Sequence, residues 1–315
     1  MRAILINDTR SDQHIGCQLV VENTFKLSQL NGIEITTSVT NAEALDASQL
    51  VSAQLTNNDL LLLNGEGTLH DDKPKALALL EAAKSAKEAG LRTILYNALW
   101  RNNSEAANFL KYFDQIYCRD SKSAELVSEH APCVMVPDMI FATDLPADHQ
   151  QKSQRLLVTD SVKKSISREL ARFAIRRASL FSPMGMGFER CLKSRPLLAW
   201  RLSKKCSFRR GEVDPPDEFI NKIRQAHGVV TGRFHTACLA LLCGTPVACV
   251  SSNTNKIETL FQDFGLTSDL TSSSNLSKQA LELQWSEQRM QRHSIDDQIS
   301  LIRKKIDSMF VSFSS

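Results

Sequence analysis

Four short stretches of the chain bring together residue types that bind anions or move protons. The first is Asn64-Gly65-Glu66-Gly67-Thr68-Leu69-His70. Its glycines let a ligand approach the backbone and leave N–H groups free to cradle an anion. Glu66, between them, is placed to take a proton from a hydroxyl. His70 stands where a dinucleotide fingerprint would need its third glycine, so that fingerprint is not met. The second stretch is Thr231-Gly232-Arg233-Phe234-His235-Thr236. An arginine there can grip a phosphate or carboxylate bidentately, and a histidine two residues on can donate or shuttle a proton. The third runs over residues 251–258, where Lys256 can reach an anionic group and Glu258 can accept from a ribose or sugar hydroxyl. The fourth is Asp8-Thr9-Arg10 with His14-Ile15-Gly16-Cys17, after the first apolar run. Asn97, Arg119-Asp120 and Pro137-Asp138 add polar groups at or near later strand ends. Each stretch also has a purely structural reading: a tight turn, a hydrogen-bonded histidine, a capped loop, an ion pair between Arg119 and Asp120.

Other chemistries are excluded by what is missing. There is no G-x-S-x-G elbow and no H-E-x-x-H or H-x-H metal spacing. None of the eight cysteines forms a C-x-x-C pair, so no zinc or redox motif is present and no metal is expected. Several of them lie in apolar runs and read as buried, reduced thiols of a cytoplasmic protein.

Elements that alternate along the chain must position these stretches. Strand-like runs fall at residues 3–7, 33–38, 59–64, 92–97, 115–118 and 133–136. Helical spacing occupies 17–30, 42–55, 74–89, 103–113 and 121–130 between them. A polar, non-periodic stretch at 146–154 reads as a linker. Beyond it come a strand at 155–159, helices at 165–180 and 217–226, and a strand at 228–231. A helix at 236–243, a strand at 246–250, a helix at 257–264 and a largely helical tail at 278–310 complete the pattern. This rhythm, with near-continuous apolar strands, predicts an α/β protein with parallel sheets covered on both faces. The expected architecture is two Rossmann-like domains facing across a cleft, 1–145 and 155–315. Ligands of such sheets bind in loops beyond the carboxyl ends of the strands, where all four stretches fall.

Charge is unevenly spread. The 315 residues hold 38 Lys+Arg and 35 Asp+Glu, a net of +3. Residues 163–210 alone carry 14 Lys/Arg against Glu169 and Glu189, a net of +12 that leaves −9 on the rest. Ile166, Leu170, Phe173, Ala174 and Phe181 are interleaved with the cations, and Met184, Met186, Phe188, Leu197, Leu198 and Trp200 follow. A basic amphipathic surface of this kind fits an anionic membrane interface. No RNA-binding or helix-turn-helix signature accompanies it, so nucleic acid is not an expected partner. No apolar run reaches the length of a membrane span, and the N-terminus reads as a strand rather than a signal peptide. The expected place is the cytoplasm, peripheral to the inner face of the membrane.

Several of these features together resemble the polysaccharide pyruvyl transferase family. Leu63–His70 looks like that family's Gly-rich turn after an apolar strand. Tyr117-Cys118-Arg119-Asp120-Ser121-Lys122-Ser123 is similar to its R-D-x-x-S strand end, and Val136-Pro137-Asp138-Met139-Ile140-Phe141 to its P-D-x-x-F close of the first domain. Val229–His235, Gly244-Thr245-Pro246 and Lys256 resemble its second-domain signature, the most specific part. The resemblance covers about 1–145 and 217–265; residues 163–210 match nothing in it. It implies a GT-B-like pair of domains, acceptor side first and donor side second. It also implies transfer of a pyruvyl group from phosphoenolpyruvate to two hydroxyls of a surface-glycan sugar, forming a ketal and needing no cofactor. His235 and Glu66 would be catalytic. Arg233 and His235 would meet the donor's phosphate and carboxylate, with Thr231, Gly232, Phe234, Lys256 and Glu258 lining the donor side. Asn64, Gly65, Gly67, Thr68, His14, Asn97 and Arg119 would line the acceptor side. The strand at 156–161 lacks the arginine expected just after it for the donor carboxylate. One alternative is therefore a nucleotide-activated sugar donor, a CMP-sugar for example, with Lys256 and Glu258 at the nucleotide and Glu66 or Asp8 as base. Another is a non-catalytic glycan-binding protein. A lipid-linked acceptor glycan is expected on this reading, with 163–210 as the membrane-facing part.

Overall fold

Four consecutive leucines at Leu60–Leu63 leave a strand no wet face, and all four are fully buried. Such a strand must lie inside a sheet covered on both sides. The computed structural model describes residues 1–40, 59–146, 153–251, 255–267, 270 and 276–314. The helix expected at 42–55 lies outside them, as does most of the 146–154 linker. The chain divides into two compact units: Met1–Asp12, Val20–Ala142 and Ile302–Ser315 form the first, and Gln13–Leu19 and Thr143–Leu301 the second. The expected bounds, 1–145 and 155–315, each follow a single run of chain. The units instead trade residues 13–19 and 302–315.

The first unit is built on β1 (Arg2–Ile6), β2 (Glu34–Val39), β3 (Leu60–Asn64), β4 (Arg92–Ala98), β5 (Gln115–Cys118) and β6 (Val134–Met135). They pair in the order β2-β1-β3-β4-β5-β6, all parallel. Helix α1 (Ile15–Leu30) enters this unit at Val20. Helix α2 (Pro74–Glu88) starts with proline at its first turn, where the missing N–H costs nothing. It turns Ala76, Leu79, Leu80, Ala83 and Ala86 onto the core. Helix α3 (Ser121–Ser128) is capped by Asp120, whose side chain accepts from the Ser123 N–H at 2.7 Å. The helix expected at 103–113 is a tighter 3-10 turn over Ala106–Tyr112.

The second unit holds β7 (Leu157–Ser161), β8 (Leu180–Phe181), β9 (Val229–Gly232) and β10 (Val247–Cys249), again all parallel, in the order β10-β9-β7-β8. Its helices are α4 (Lys164–Arg177), α5 (Gly187–Leu192), α6 (Pro196–Lys205), α7 (Pro216–Gln225), α8 (Phe234–Leu242), α9 (Lys256–Asp263) and α10 (Lys278–Met290). Helix α11 (Arg292–Phe313) follows and passes to the first unit at Ile302. Both sheets begin alike, with the second strand beside the first and the third on its other side. The ligand crevice of such a sheet lies where strand order reverses, at β1/β3 and β7/β9.

Two sequence expectations change here. The helix expected at 165–180 stops at Arg177: Ala178 is left-handed (φ 48°) and the Ser179 N–H turns back to the Ala174 carbonyl at 3.0 Å. Leu180 and Phe181 are thereby released to pair with β7. The apolar residues interleaved with the basic segment mostly face inward. Leu170, Phe173, Ala174, Phe181 and Phe188 belong to the core of the second unit with Val158 and Val230. Only Leu197 and Trp200 of that set are strongly exposed. Among the described residues no helix is long and apolar enough to cross a membrane. No disulfide links the eight cysteines.

Candidate functional site

In the second unit the β7/β9 switch point is cationic. Asp160, near the end of β7, is fully buried, and Arg233 follows directly on β9. The Arg233 guanidinium donates to one Asp160 oxygen while the other accepts the Met184 N–H at 3.0 Å. Burial opposes the charge on Arg233, whose side chain is 14% exposed, but the Asp160 carboxylate more than offsets this and raises its pKa. Arg233 Nε is buried with no hydrogen-bond partner among the described residues. Thr231 steers the backbone: its hydroxyl accepts the Arg233 N–H at 2.9 Å and bonds Thr159 Oγ1 at 2.5 Å. Gly232 ends β9 opposite Ser161.

His235 stands in the first turn of α8, 7% exposed. The sequence places His14 with the acceptor-side loops; the structure sets its ring edge-on to His235, centroids 5.7 Å apart. Two features cause this. His14 bridges to Gly185, and the Ile15 N–H bonds the Met184 carbonyl at 3.0 Å. Gly16 then lets the backbone close on the His235 ring, since a Cβ there would lie 2.2 Å from Nδ1. Burial pushes the His14 pKa well below its usual value, and repulsion from His235, Arg233 and Lys256 adds to it. His14 is thus neutral at physiological pH. Lys256 opens α9 with its ammonium 5.9 Å over the Phe234 ring. Glu258 accepts from the Ser251 hydroxyl at 3.5 Å; residues 252–254 of that loop lie outside the described residues.

His14, Cys17 and His235 each offer one donor atom within 4.8 Å of the others. This is the one group among the described residues with metal-ligand character, and a set zinc accepts. Sequence spacing does not reveal it, because His235 is more than 200 positions from His14 and Cys17. Arg233 and Lys256 share the surroundings, and their charge disfavours a dication while suiting an anion.

The β1/β3 switch point of the first unit is chemically opposite. Asn64 ends β3, and its side-chain oxygen accepts the Glu66 N–H at 3.2 Å and the Asn97 amide at 3.4 Å. Glu66 is 5% exposed and accepts from the Thr9 hydroxyl at 3.2 Å. Thr68 Oγ1 donates to the Glu66 carbonyl at 3.0 Å across Gly67, which closes the turn. Gly65 presses on β4, where a Cβ would lie 2.6 Å from the Ala98 Cα. Asn7, just after β1, and Asn97, near the end of β4, have φ of 66° and 54°, a conformation asparagine tolerates. Asn7 Nδ2 donates to the Asn64 carbonyl at 2.7 Å, and its Oδ1 is buried with no hydrogen-bond partner among the described residues. Asp8 is engaged otherwise: burial would raise its pKa, but hydrogen bonds from Arg10 and Ser38 hold it low.

Arg119 is the second departure. The sequence groups it with the acceptor-binding residues and pairs it with Asp120; the structure seals it at 3% exposure, bonded to Asp138 at 3.0 Å. Asp120 is spent on capping α3, and its neighbour turns inward to the P-D loop. Asp160 and Asn7 belong to none of the four stretches, and Gly16 stands in the fourth with no role of its own. The signal for Asp160 was only its place near a strand end, legible once strand order is known.

Two parallel α/β units with polar switch-point loops define a GT-B-like fold, and solved structures agree. The chain is similar to the UDP-GlcNAc 2-epimerase of Methanocaldococcus jannaschii (TM-score 0.64, 12% identity, 92% of this chain and 94% of that one). It is also similar to the UDP-N-acetylglucosamine 2-epimerase of Rickettsia bellii (0.62, 13%, 100% and 97%). The Neisseria meningitidis enzyme bound to UDP-GlcNAc follows (0.60, 11%, 99% and 100%). At these identities the likeness is one of fold. A comparison with curated protein sequences finds no match. The family model for polysaccharide pyruvyl transferase matches residues 6–254, and the chain belongs to that family. It is therefore a glycan-modifying transferase.

Proposed function

We propose that the protein transfers the pyruvyl group of phosphoenolpyruvate to two hydroxyls of a surface-glycan sugar. The cationic β7/β9 switch point supports this most: Arg233 held by Asp160, beside His235, neutral His14 and Lys256. A trianionic donor needs such a set, and Arg233 and Lys256 meet its phosphate and carboxylate. His235 supplies a proton to the enol carbon, which becomes the ketal methyl group. The two sugar oxygens bond to the central carbon as the C–O bond to phosphate breaks. Of the two hydroxyl protons, one replaces that delivered to carbon and the other leaves with phosphate. Glu66 takes the first from the acceptor, with Asn64, Thr68 and Asn97 positioning the sugar. The acceptor is lipid-linked in this reading, and the enzyme works at the inner face of a membrane. No resident cofactor or metal is required.

Incubation with phosphoenolpyruvate and glycans from the source organism should release phosphate and give the ketal methyl signal by NMR. Arg233→Ala should lower that rate about 10²–10³-fold, the cost of removing a preorganised charge donor. Phosphate release without ketal, or no reaction with any such glycan, sinks the proposal. The fold shared with UDP-GlcNAc 2-epimerases keeps a second reading, a nucleotide-sugar donor. Thermal stabilisation by a nucleotide but not by phosphoenolpyruvate would select it.

A further inference from the structure

We propose that a pocket between α4 and α6 binds the phosphate headgroup of an anionic lipid. Helix α4 buries its apolar residues in the protein's own core, so its amphipathic pattern is not free for a membrane. Its outer face carries Lys164, Arg168, Arg172 and Arg176 at four-residue intervals, one stripe along the helix. Opposite it, α6 brings Arg201, and the residue before it is Arg195. Arg172, Arg176, Arg195 and Arg201 wall a pocket of about 550 Å³ with Ile175 and Leu198 at its base. No carboxylate lines it.

None of the four guanidinium groups has an ion pair or side-chain hydrogen bond among the described residues. In the same basic segment Arg209, by contrast, lies 3.1 Å from Glu218. Four like charges around one concavity repel one another and are stabilised by an anion placed among them. Leu197 and Trp200, on α6, are 61% and 58% exposed. An anion with an apolar continuation satisfies both features, and a phospholipid headgroup with its chains is that chemistry. None of the residues that line the pocket is one assigned to donor or acceptor. The pocket deepens the membrane-side part of the proposed function, and it is measured without donor, acceptor or turnover, so either can fail alone.

The test is vesicle flotation of the full chain with phosphatidylcholine alone and with phosphatidylglycerol added. The protein should float with the anionic vesicles only, and less as salt rises. Replacing Arg176, Arg195 and Arg201 by Gln should weaken binding about a hundredfold, since each basic side chain at an anionic surface contributes roughly a factor of five. Leu197→Ser with Trp200→Ser should remove the part of binding that survives high salt. All five positions are exposed, and circular dichroism checks the fold of each variant. Equal flotation with neutral vesicles overturns the proposal, as does undiminished flotation of the arginine variant. So does saturation by millimolar inorganic phosphate without affinity for vesicles, or binding of a short RNA in preference to them.

Discussion

The two switch points share a topology and differ in chemistry. At β1/β3 the loop groups are amides, hydroxyls, the buried Glu66 and an Asp8 whose charge is matched by Arg10. At β7/β9 they are Arg233, His235, His14 and Lys256, with Asp160 turned inward to hold the arginine and Glu258 beside Ser251. The same sheet order thus carries a buried carboxylate in one unit and a cationic set in the other. The scaffold decides where a ligand is met, and the loop side chains decide what charge it has.

The largest effect should come from the first switch point. Glu66→Gln keeps the size of the side chain and its bond to Thr9, yet removes the carboxylate proposed as the base. Ketal formation should fall about 10²–10⁴-fold with little change in donor affinity. A nearly active variant would leave the first unit with binding alone and dissolve the contrast. Next is Asp138→Ala, which leaves Arg119 buried without its carboxylate. Unfolding in denaturant should show a loss of about 3–5 kcal/mol. A change confined to glycan affinity would return Arg119 to the acceptor set. Gly16→Ala should be milder, because the Cβ drives against the His235 ring and overpacking costs about 1–3 kcal/mol. The donor KM should rise with it, while the KM for the glycan stays put.

The smallest effect is a pH dependence belonging to the second unit. His14 has a folded pKa well below the ordinary 6.5. The unfolded chain therefore takes up a proton that the folded one refuses, so stability is full above pH 6.5 and declines as pH falls below it. His14→Gln should flatten thermal stability below pH 6.5 relative to wild type. An unchanged slope would mean that another group carries it.

Much of the first unit was legible from residues 59–64 and their kin, because a strand buried on both faces must be apolar throughout. The Gly-rich turn and the Arg233–His235 pair were legible because each lies within one short stretch at a strand end. What was not legible is pairing across the chain. His14 resembled one more residue of a first-domain loop until Gly185 and Gly16 set it on His235. Arg119 looked available until Asp138 closed over it. The basic segment looked amphipathic toward a membrane, whereas its apolar residues are largely core and four of its cations, Arg172, Arg176, Arg195 and Arg201, line one pocket.

By itself, the sequence determined the α/β alternation, the covered parallel strands and the residue types at each strand end, since these follow from local periodicity and backbone chemistry. Only the tertiary structure decided which of those residues meet. Strand order brings Asp160 to Arg233 across 73 positions, and the bridge to Gly185 brings His14 to His235 across 221; no local pattern encodes such distances. Whether a charge is spent on a buried partner, as in Arg119, or kept for a ligand, as in Arg195 and Arg201, is likewise settled by packing.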